Sequence, residues 1–226
     1  MLLSWVSIRH KMNARDLAKI PITDLTFSVV DVETTGMNAQ HNRIMDIGII
    51  TIKNGEILEE WEALINPQQE IPYWITYYTK LGTHHVKDKP FFSVYAQKVF
   101  DKLNGTIFVG HNAGFDYGFV SHEFKRAGLN FYSPKLCTVL LGRKLLPQLA
   151  NAHLDALSDY YGITISARHR ALPDAQATAY ILNKFLEIAK EKYGAKTFFD
   201  LERLQKIKID KSIAVNEYED FRLRLI

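Results

Sequence analysis

The 226-residue sequence predicts an α/β domain in which a mixed β-sheet is covered by helices. Two observations carry that prediction. Short apolar runs bounded by turn residues read as buried strands, and one of them directly follows a helical pattern, the step that makes a parallel neighbour through a crossover. Two further β-rich runs flank Asn54-Gly55, a dipeptide that supplies the positive φ angles of a type I′ hairpin turn, so the sheet also contains an antiparallel pair.

In chain order, Trp5, Ile8, Met12, Leu17 and Ile20 recur at roughly helical spacing, which predicts an amphipathic helix over residues 5–20 packed on the domain. Residues 27–32 (FSVVDV) form a short apolar run and are the first strand, buried at the centre of the sheet. Residues 44–52 and 57–65 are the hairpin. The latter alternates apolar and acidic residues, as a half-exposed strand near the sheet edge does. Residues 92–103 read as a helix and 106–110 (TIFVG) as the next buried strand. Further helical patterns cover 115–127, 154–161 and 175–189, the last with apolar residues at 175, 178, 179, 182, 185, 186 and 189. Residues 191–226 are charged but keep Phe198, Phe199, Leu201, Leu204, Tyr218, Phe221 and Leu223, which predicts a docked extension. The expected organisation is an N-terminal extension over 1–24, a central domain over 25–190 and a C-terminal extension over 191–226.

Hydrophobic and charged fractions of 47% and 23% exclude a collagen-like or mostly disordered chain. The single cysteine, Cys137, excludes an internal disulfide framework and a cysteine-rich zinc site, and points to a reducing compartment. No apolar run approaches the ~18 residues of a membrane span, and no export signal is read at the N-terminus, so a cytoplasmic protein without a membrane partner is expected. A net charge of +3 is compatible with nucleic acid and does not by itself select it.

The residues that carry chemistry fall in three places. Asp31 and Glu33 lie two apart at the end of the first strand, so both carboxylates project from the same face. Thr34-Thr35-Gly36 follow as a polar turn at the strand's carboxyl end, where open α/β sheets place their ligands. Asp116 stands just after another buried strand, at a helix start; taken singly, such an aspartate is as readily explained by the helix dipole. In His169-Arg170-Ala171-Leu172-Pro173-Asp174 one helix could not aim both His169 and Asp174 at a common point. Pro173 suits the first position of a helix, which puts Asp174 in its first turn and leaves His169 in the preceding loop. Arg168 and Arg170 flank the histidine as phosphate contacts or as solvated charges.

Three motifs in this order resemble the DEDDh 3′-to-5′ exonucleases: Asp31 through Gly36 (DVETTG), residues 111–120 (HNAGFDYGFV) and His169 through Asp174 (HRALPD). The resemblance covers about residues 25–190. The runs TTGMN and Leu154-Asp155-Ala156-Leu157 are similar to those of the proofreading epsilon subunits of bacterial replicative polymerases. It implies an RNase H-like three-layer fold with a mixed five-stranded sheet of order 3-2-1-4-5, strand 2 antiparallel, flanked by helices. Four acids in one place need counter-charge, and an oxygen ligand set favours two Mg²⁺ or Mn²⁺ ions. Such a pair, about 4 Å apart, serves phosphoryl transfer by stabilising attacking and leaving oxygens.

By resemblance, Asp31, Glu33, Asp116 and Asp174 are the metal ligands and His169 the residue that deprotonates the attacking water. Thr34, Thr35 and Met37 are by the same resemblance the residues beside the terminal hydroxyl; Asn112 and Phe115 are close enough in sequence to Asp116 to contact phosphate and base, with a structural role for either, and a core position for Phe115, as the alternative. The implied activity is release of nucleoside 5′-monophosphates from the 3′ ends of single-stranded DNA, in proofreading or repair, with a DNA polymerase subunit as the implied protein partner. RNA trimming by the same chemistry and a non-catalytic nucleic-acid-binding module are the alternatives. The second loses weight because all four acids and the histidine are present.

Overall fold

The computed structural model describes residues 17–206. Strand β1 (Thr26–Thr34) is the centre of a five-stranded sheet. It pairs antiparallel with β2 (Ile44–Lys53), which pairs antiparallel with β3 (Glu56–Leu64). On its other side β1 pairs parallel with β4 (Ile107–Gly110), and β4 pairs parallel with β5 (Lys135–Cys137). The order is β3-β2-β1-β4-β5, and β2 runs against the other four, the arrangement the motifs imply. The hairpin closes with Lys53 opposite Glu56, and both turn residues, Asn54 (φ 50°) and Gly55 (φ 81°), take the positive φ that a type I′ turn demands.

The pleat of β1 explains the layers. Phe27 and Val29 point to one face and meet Ala175, Ala179 and Leu182 of a long helix that follows the third motif, whose small residues let it lie close to the sheet. Val30 and Val32 point to the other face, where α3 (Phe92–Leu103) and α4 (Ala113–Arg126) supply Phe92, Val99, Phe119 and Phe124. Before α3 come α1 (Tyr73–Thr79) and α2 (Thr83–Val86), whose Ile75 and Val86 are buried with Met45 and Leu81. After β5, α5 (Thr138–Leu145) and α6 (Leu154–Tyr161) build a third cluster with α7 (Ala171–Tyr193), centred on Leu141, Leu157 and Phe185.

Of the expected N-terminal helix, only Leu17 and Ile20 fall among the described residues, and both pack into the core beside β1. Residues 207–226, with Tyr218, Phe221 and Leu223, lie outside the described residues. In the described part of the C-terminal extension, residues 191–193 finish the helix Ala171–Tyr193 and α8 (Phe198–Gln205) buries Phe198 and Leu201 in the cluster of Leu25 and Phe27. The side-chain amide of Gln205 accepts from the N–H of Cys137 (2.8 Å) and donates to the carbonyl of Lys135 (2.9 Å), which closes the open edge of β5 as a further strand would. At the opposite edge, Glu56, Glu59 and Glu60 of β3 are exposed and charge that edge against pairing with another chain. No helix among the described residues is long and apolar enough to cross a membrane.

One local expectation is corrected. α7 starts at Ala171 with Arg170 as its N-cap, so Pro173 occupies the third helical position, not the first. The opening N–H groups of a helix have no partner within it, so proline is accommodated there too. Asp174 still falls in the first turn and His169 in the preceding loop.

Candidate active site

The site is built where β1 outruns β4. The two strands are paired only from Phe27 to Val29 against Ile107 to Val109. Beyond that point the N–H of Val32 faces no strand, and Asp116 Oδ1 accepts its hydrogen bond at 3.1 Å. Asp116 can reach it because β4 ends at Gly110, where a Cβ would lie only 3.0 Å from Asp116 Oδ2, and because Asn112 turns the chain sharply through the left-handed region (φ 73°) into α4.

The third motif is brought in from the other side of β1. Gly48 stands opposite Asp31 in the β1–β2 register, and a Cβ on it would come within 2.6 Å of the backbone of Ala171. The glycine therefore lets the start of α7 rest directly on the sheet. Asp46, two residues earlier on β2 and buried, accepts from Arg170 Nε (2.8 Å) and from the N–H of Ala171 (3.3 Å), tying down an otherwise unpaired helix-start donor. Burial pushes the Asp46 carboxyl up and Arg170 holds it down. Arg170 thus anchors the start of α7 on β2 while part of its side chain stays exposed. Because the Gly48 contact is with backbone, Gly48→Ala is expected to lose about 1–3 kcal/mol of stability in urea unfolding. An unchanged unfolding midpoint would mean that α7 does not need this approach.

Asp31, Glu33, Asp116, Asp174 and His169 are consequently brought together. Glu33, His169 and Asp174 each present a ligand atom, all within 4.8 Å of one another. Burial and the neighbouring acids raise Asp31 well above the usual carboxylate range. Glu33 is pushed up to about 8 by burial and then by Asp174, Asp46 and Asp116. Burial pushes Asp116 up to about 8 against its bond from Val32. Asp174 reaches about 6, burial being opposed by Arg168.

His169 sits in a left-handed conformation (φ 60°), its N–H donates to Asp174 Oδ2 (3.2 Å), and its ring lies 4.0 Å from that of Tyr78 between centroids. Burial first, and the Arg168 charge next, lower it to about 4, so the imidazole is neutral at neutral pH. Arg168 links the site to α6: its Nε donates to Asp155 Oδ1 at 2.6 Å and its guanidinium contacts Asp174 Oδ2. Near it, His111 is pushed down to about 3 by burial and is paired through Nδ1 with the Thr138 hydroxyl (2.9 Å).

The residues expected at the substrate are placed differently from one another. Thr34 is buried and its hydroxyl donates to the Gly36 carbonyl (2.7 Å). Thr35 is buried; its hydroxyl oxygen accepts from the N–H of Arg43 (3.0 Å) and its own N–H donates to the Arg43 carbonyl (2.9 Å). Met37 and Asn112 are exposed, and Phe115 is partly buried, 4.8 Å from the Phe119 ring. Three residues of the site were not anticipated as such: Tyr78, Asp155 and Asp46. Asp155 lies in the LDAL run, whereas Tyr78 and Asp46 have no local signal and are defined only by what folds against them.

A mixed sheet of this order, with an acid-rich cluster at the end of its central strand, defines a nuclease of the RNase H-like fold. The exonuclease family RNase_T matches residues 28–182, and the chain belongs to that family, the DnaQ-like DEDD exonucleases. It is 37% identical over 165 residues to the PolC-type DNA polymerase III of Caldanaerobacter subterraneus, which aligns 73% of this chain with 12% of that protein. It is 33% identical over 169 residues to the 3′-5′ exonuclease DinG of Staphylococcus aureus, 74% of this chain and 18% of that one. The chain therefore spans less than a fifth of the length of these relatives. Among solved structures, E. coli Exonuclease I in complex with a dT13 oligonucleotide superposes with a TM-score of 0.67 at 17% identity, covering 76% of this chain and 43% of that one. Exonuclease X in complex with 5′ overhanging duplex DNA gives 0.60 at 22% identity, covering 79% and 99%.

Proposed function

We propose that the protein is a metal-dependent 3′-5′ exonuclease that hydrolyses the terminal phosphodiester bond of single-stranded DNA and releases nucleoside 5′-monophosphates. The observation that supports it most is the convergence of four carboxyl groups, Asp116 and Asp174 buried and Asp31 and Glu33 partly so, with one neutral histidine at the end of β1. The cluster fits divalent cations. Its donors are carboxylate oxygens, their crowding raises their proton affinities and favours a counter-charge, and Asp174 Oδ1 is buried without a hydrogen-bond partner. Asp31, Glu33, Asp116 and Asp174 would hold two Mg²⁺ or Mn²⁺ ions, which when bound supply charge neutralisation for the attacking and leaving oxygens. His169 accepts the proton of the attacking water on its free imidazole nitrogen. Tyr78 and the bond from the His169 N–H to Asp174 fix the ring's position. Met37 and Asn112 are the substrate contacts left open to solvent and Phe115 is only partly accessible, Thr34 and Thr35 shaping the turn beneath Met37. The similarity to PolC-type polymerases and to DinG supports a role in proofreading or repair alongside a polymerase.

Matched 5′-labelled DNA and RNA oligonucleotides test the reading directly. Shortening of the DNA from its 3′ end in Mg²⁺ or Mn²⁺, stopped by EDTA, is expected; preferential loss of the RNA would turn the proposal to the trimming alternative, and products beginning at the 5′ end would sink it.

Metal binding also has a thermal signature. Without metal, the folded cluster holds protons that the unfolded chain has released above its ordinary carboxylate pKa, so stability falls as pH rises toward about 8, where Glu33 and Asp116 titrate. Asp174→Asn is expected to flatten that slope and to leave the melting temperature in EDTA equal or higher. With Mn²⁺ at a hundredfold excess over Kd, wild type gains about 2.7 kcal/mol and the variant less. Equal gains in both proteins would remove Asp174 from the ligand set.

A further inference from the structure

Resting on that reading, we infer that the exposed face of α1 is a stacking platform for the unpaired bases next to the 3′ end, which makes a single-stranded end, in preference to a duplex one, the favoured substrate of this site. Tyr73, Trp74, Tyr77 and Tyr78 are all exposed, Tyr73 and Tyr77 at 83% and 67% of their surface. At about 100° per residue, these four positions cover one sector of about 140° of the helix. The opposite side is moored: Ile75 is buried with Met45, Ile71 and Leu81, and the buried Thr79 hydroxyl donates to the Ile75 carbonyl (2.9 Å). The aromatic face is thus displayed by an element fixed from beneath. Contiguous exposed rings of this kind mark an interaction surface more often than plain solvent contact.

Position and charge select the occupant. The platform is continuous with the acid cluster, because Tyr78 packs on His169, whose N–H is bonded to Asp174. Lys80 closes α1 in a left-handed conformation (φ 60°), its ammonium 4.5 Å from the Tyr77 ring centroid and donating to the Tyr77 carbonyl (2.6 Å). Its charge is also felt by His169, so the platform carries a cation within electrostatic reach of the acid cluster, the complement of a phosphate backbone. Seven residues of helix span about 10 Å, room for two or three bases at about 3.4 Å along a strand. Bases within a duplex already stack on each other, whereas unpaired bases offer both faces to aromatic rings.

The test compares Trp74→Ala/Tyr77→Ala with wild type on two substrates in Mn²⁺: a 5′-labelled oligo-dT, and the p-nitrophenyl ester of thymidine 5′-monophosphate, which carries no neighbouring bases. The expected result is a rise in KM for the oligonucleotide at least about tenfold greater than any change on the ester, with kcat less affected, and recovery in Trp74→Phe/Tyr77→Phe, whose rings still stack. An unchanged KM for oligo-dT, as a seat for a partner protein would give, overturns the platform, as does equal loss on both substrates. A second readout is independent of catalysis: oligo-dT is expected to quench tryptophan emission of the wild type in EDTA, and Trp74→Phe to lose that quenching. If wild type cleaved neither substrate, the exonuclease reading would fall while the quenching still decided the platform; no quenching in wild type overturns it.

Discussion

Asp31→Ala is expected to abolish 3′ shortening of single-stranded DNA. Asp31 feels Asp116, Glu33 and Asp174 together, so on the proposed reading its carboxylate would help to hold the divalent cations. Stabilisation of developing charge by a bound cation amounts to several kcal/mol, and each 1.36 kcal/mol is a tenfold change in rate, so a loss of about a thousandfold or more should follow. Folding should survive, because alanine at this position removes a source of repulsion and leaves the β1–β2 pairing with Gly48 intact. The measurement is oligonucleotide cleavage alongside a thermal melt. A well-folded Asp31→Ala protein with undiminished cleavage would place the chemistry elsewhere.

The second large effect is on proton transfer. His169→Ala should lose ~10²- to 10⁴-fold in turnover, the scale of a general base, while Mn²⁺ still stabilises the protein. The pH profile separates two roles that otherwise look alike. His169 is lowered to about 4, so it is neutral and able to accept a proton above that value; as pH falls through it, wild-type turnover at saturating Mn²⁺ should drop and that of the variant should not. Glu33, Asp116 and Asp174 are raised to between about 6 and about 8, so the apparent affinity for Mn²⁺ should weaken in both proteins as pH falls through that range, because the ligands must lose protons to bind. A variant with normal turnover and the wild-type acid limb would assign the proton to another group.

What the sequence revealed follows from the range over which each signal acts. Asn54-Gly55 and the alternation around Asp31 and Glu33 are local, and both appear in the structure where the residues foretell them. The ends of α7 were less legible, since Pro173 satisfies the third helical position as well as the first. β5 has three residues, too few to show a period, and it is defined by β4 on one side and Gln205 on the other. α1 is not legible in the sequence because its outward positions carry aromatic residues where a helix usually turns polar ones, so it shows no polar and apolar faces to separate. The parts of the site that stayed hidden are its long-range pairs. Arg170 with Asp46 and Tyr78 with His169 join segments that nothing in their own neighbourhoods connects.

Those pairings also set the order in which the enzyme can come into being. The bond that places Asp116 spans 84 residues of chain, and the one that seats the start of α7 spans 124. Contacts of such separation form late, after the intervening loops have been closed at an entropic cost. A chain emerging from the ribosome completes the central strand and its hairpin long before the last acid is synthesised. Until α7 has been made the chain holds no complete cluster, and the site is whole only when α7 settles onto Gly48.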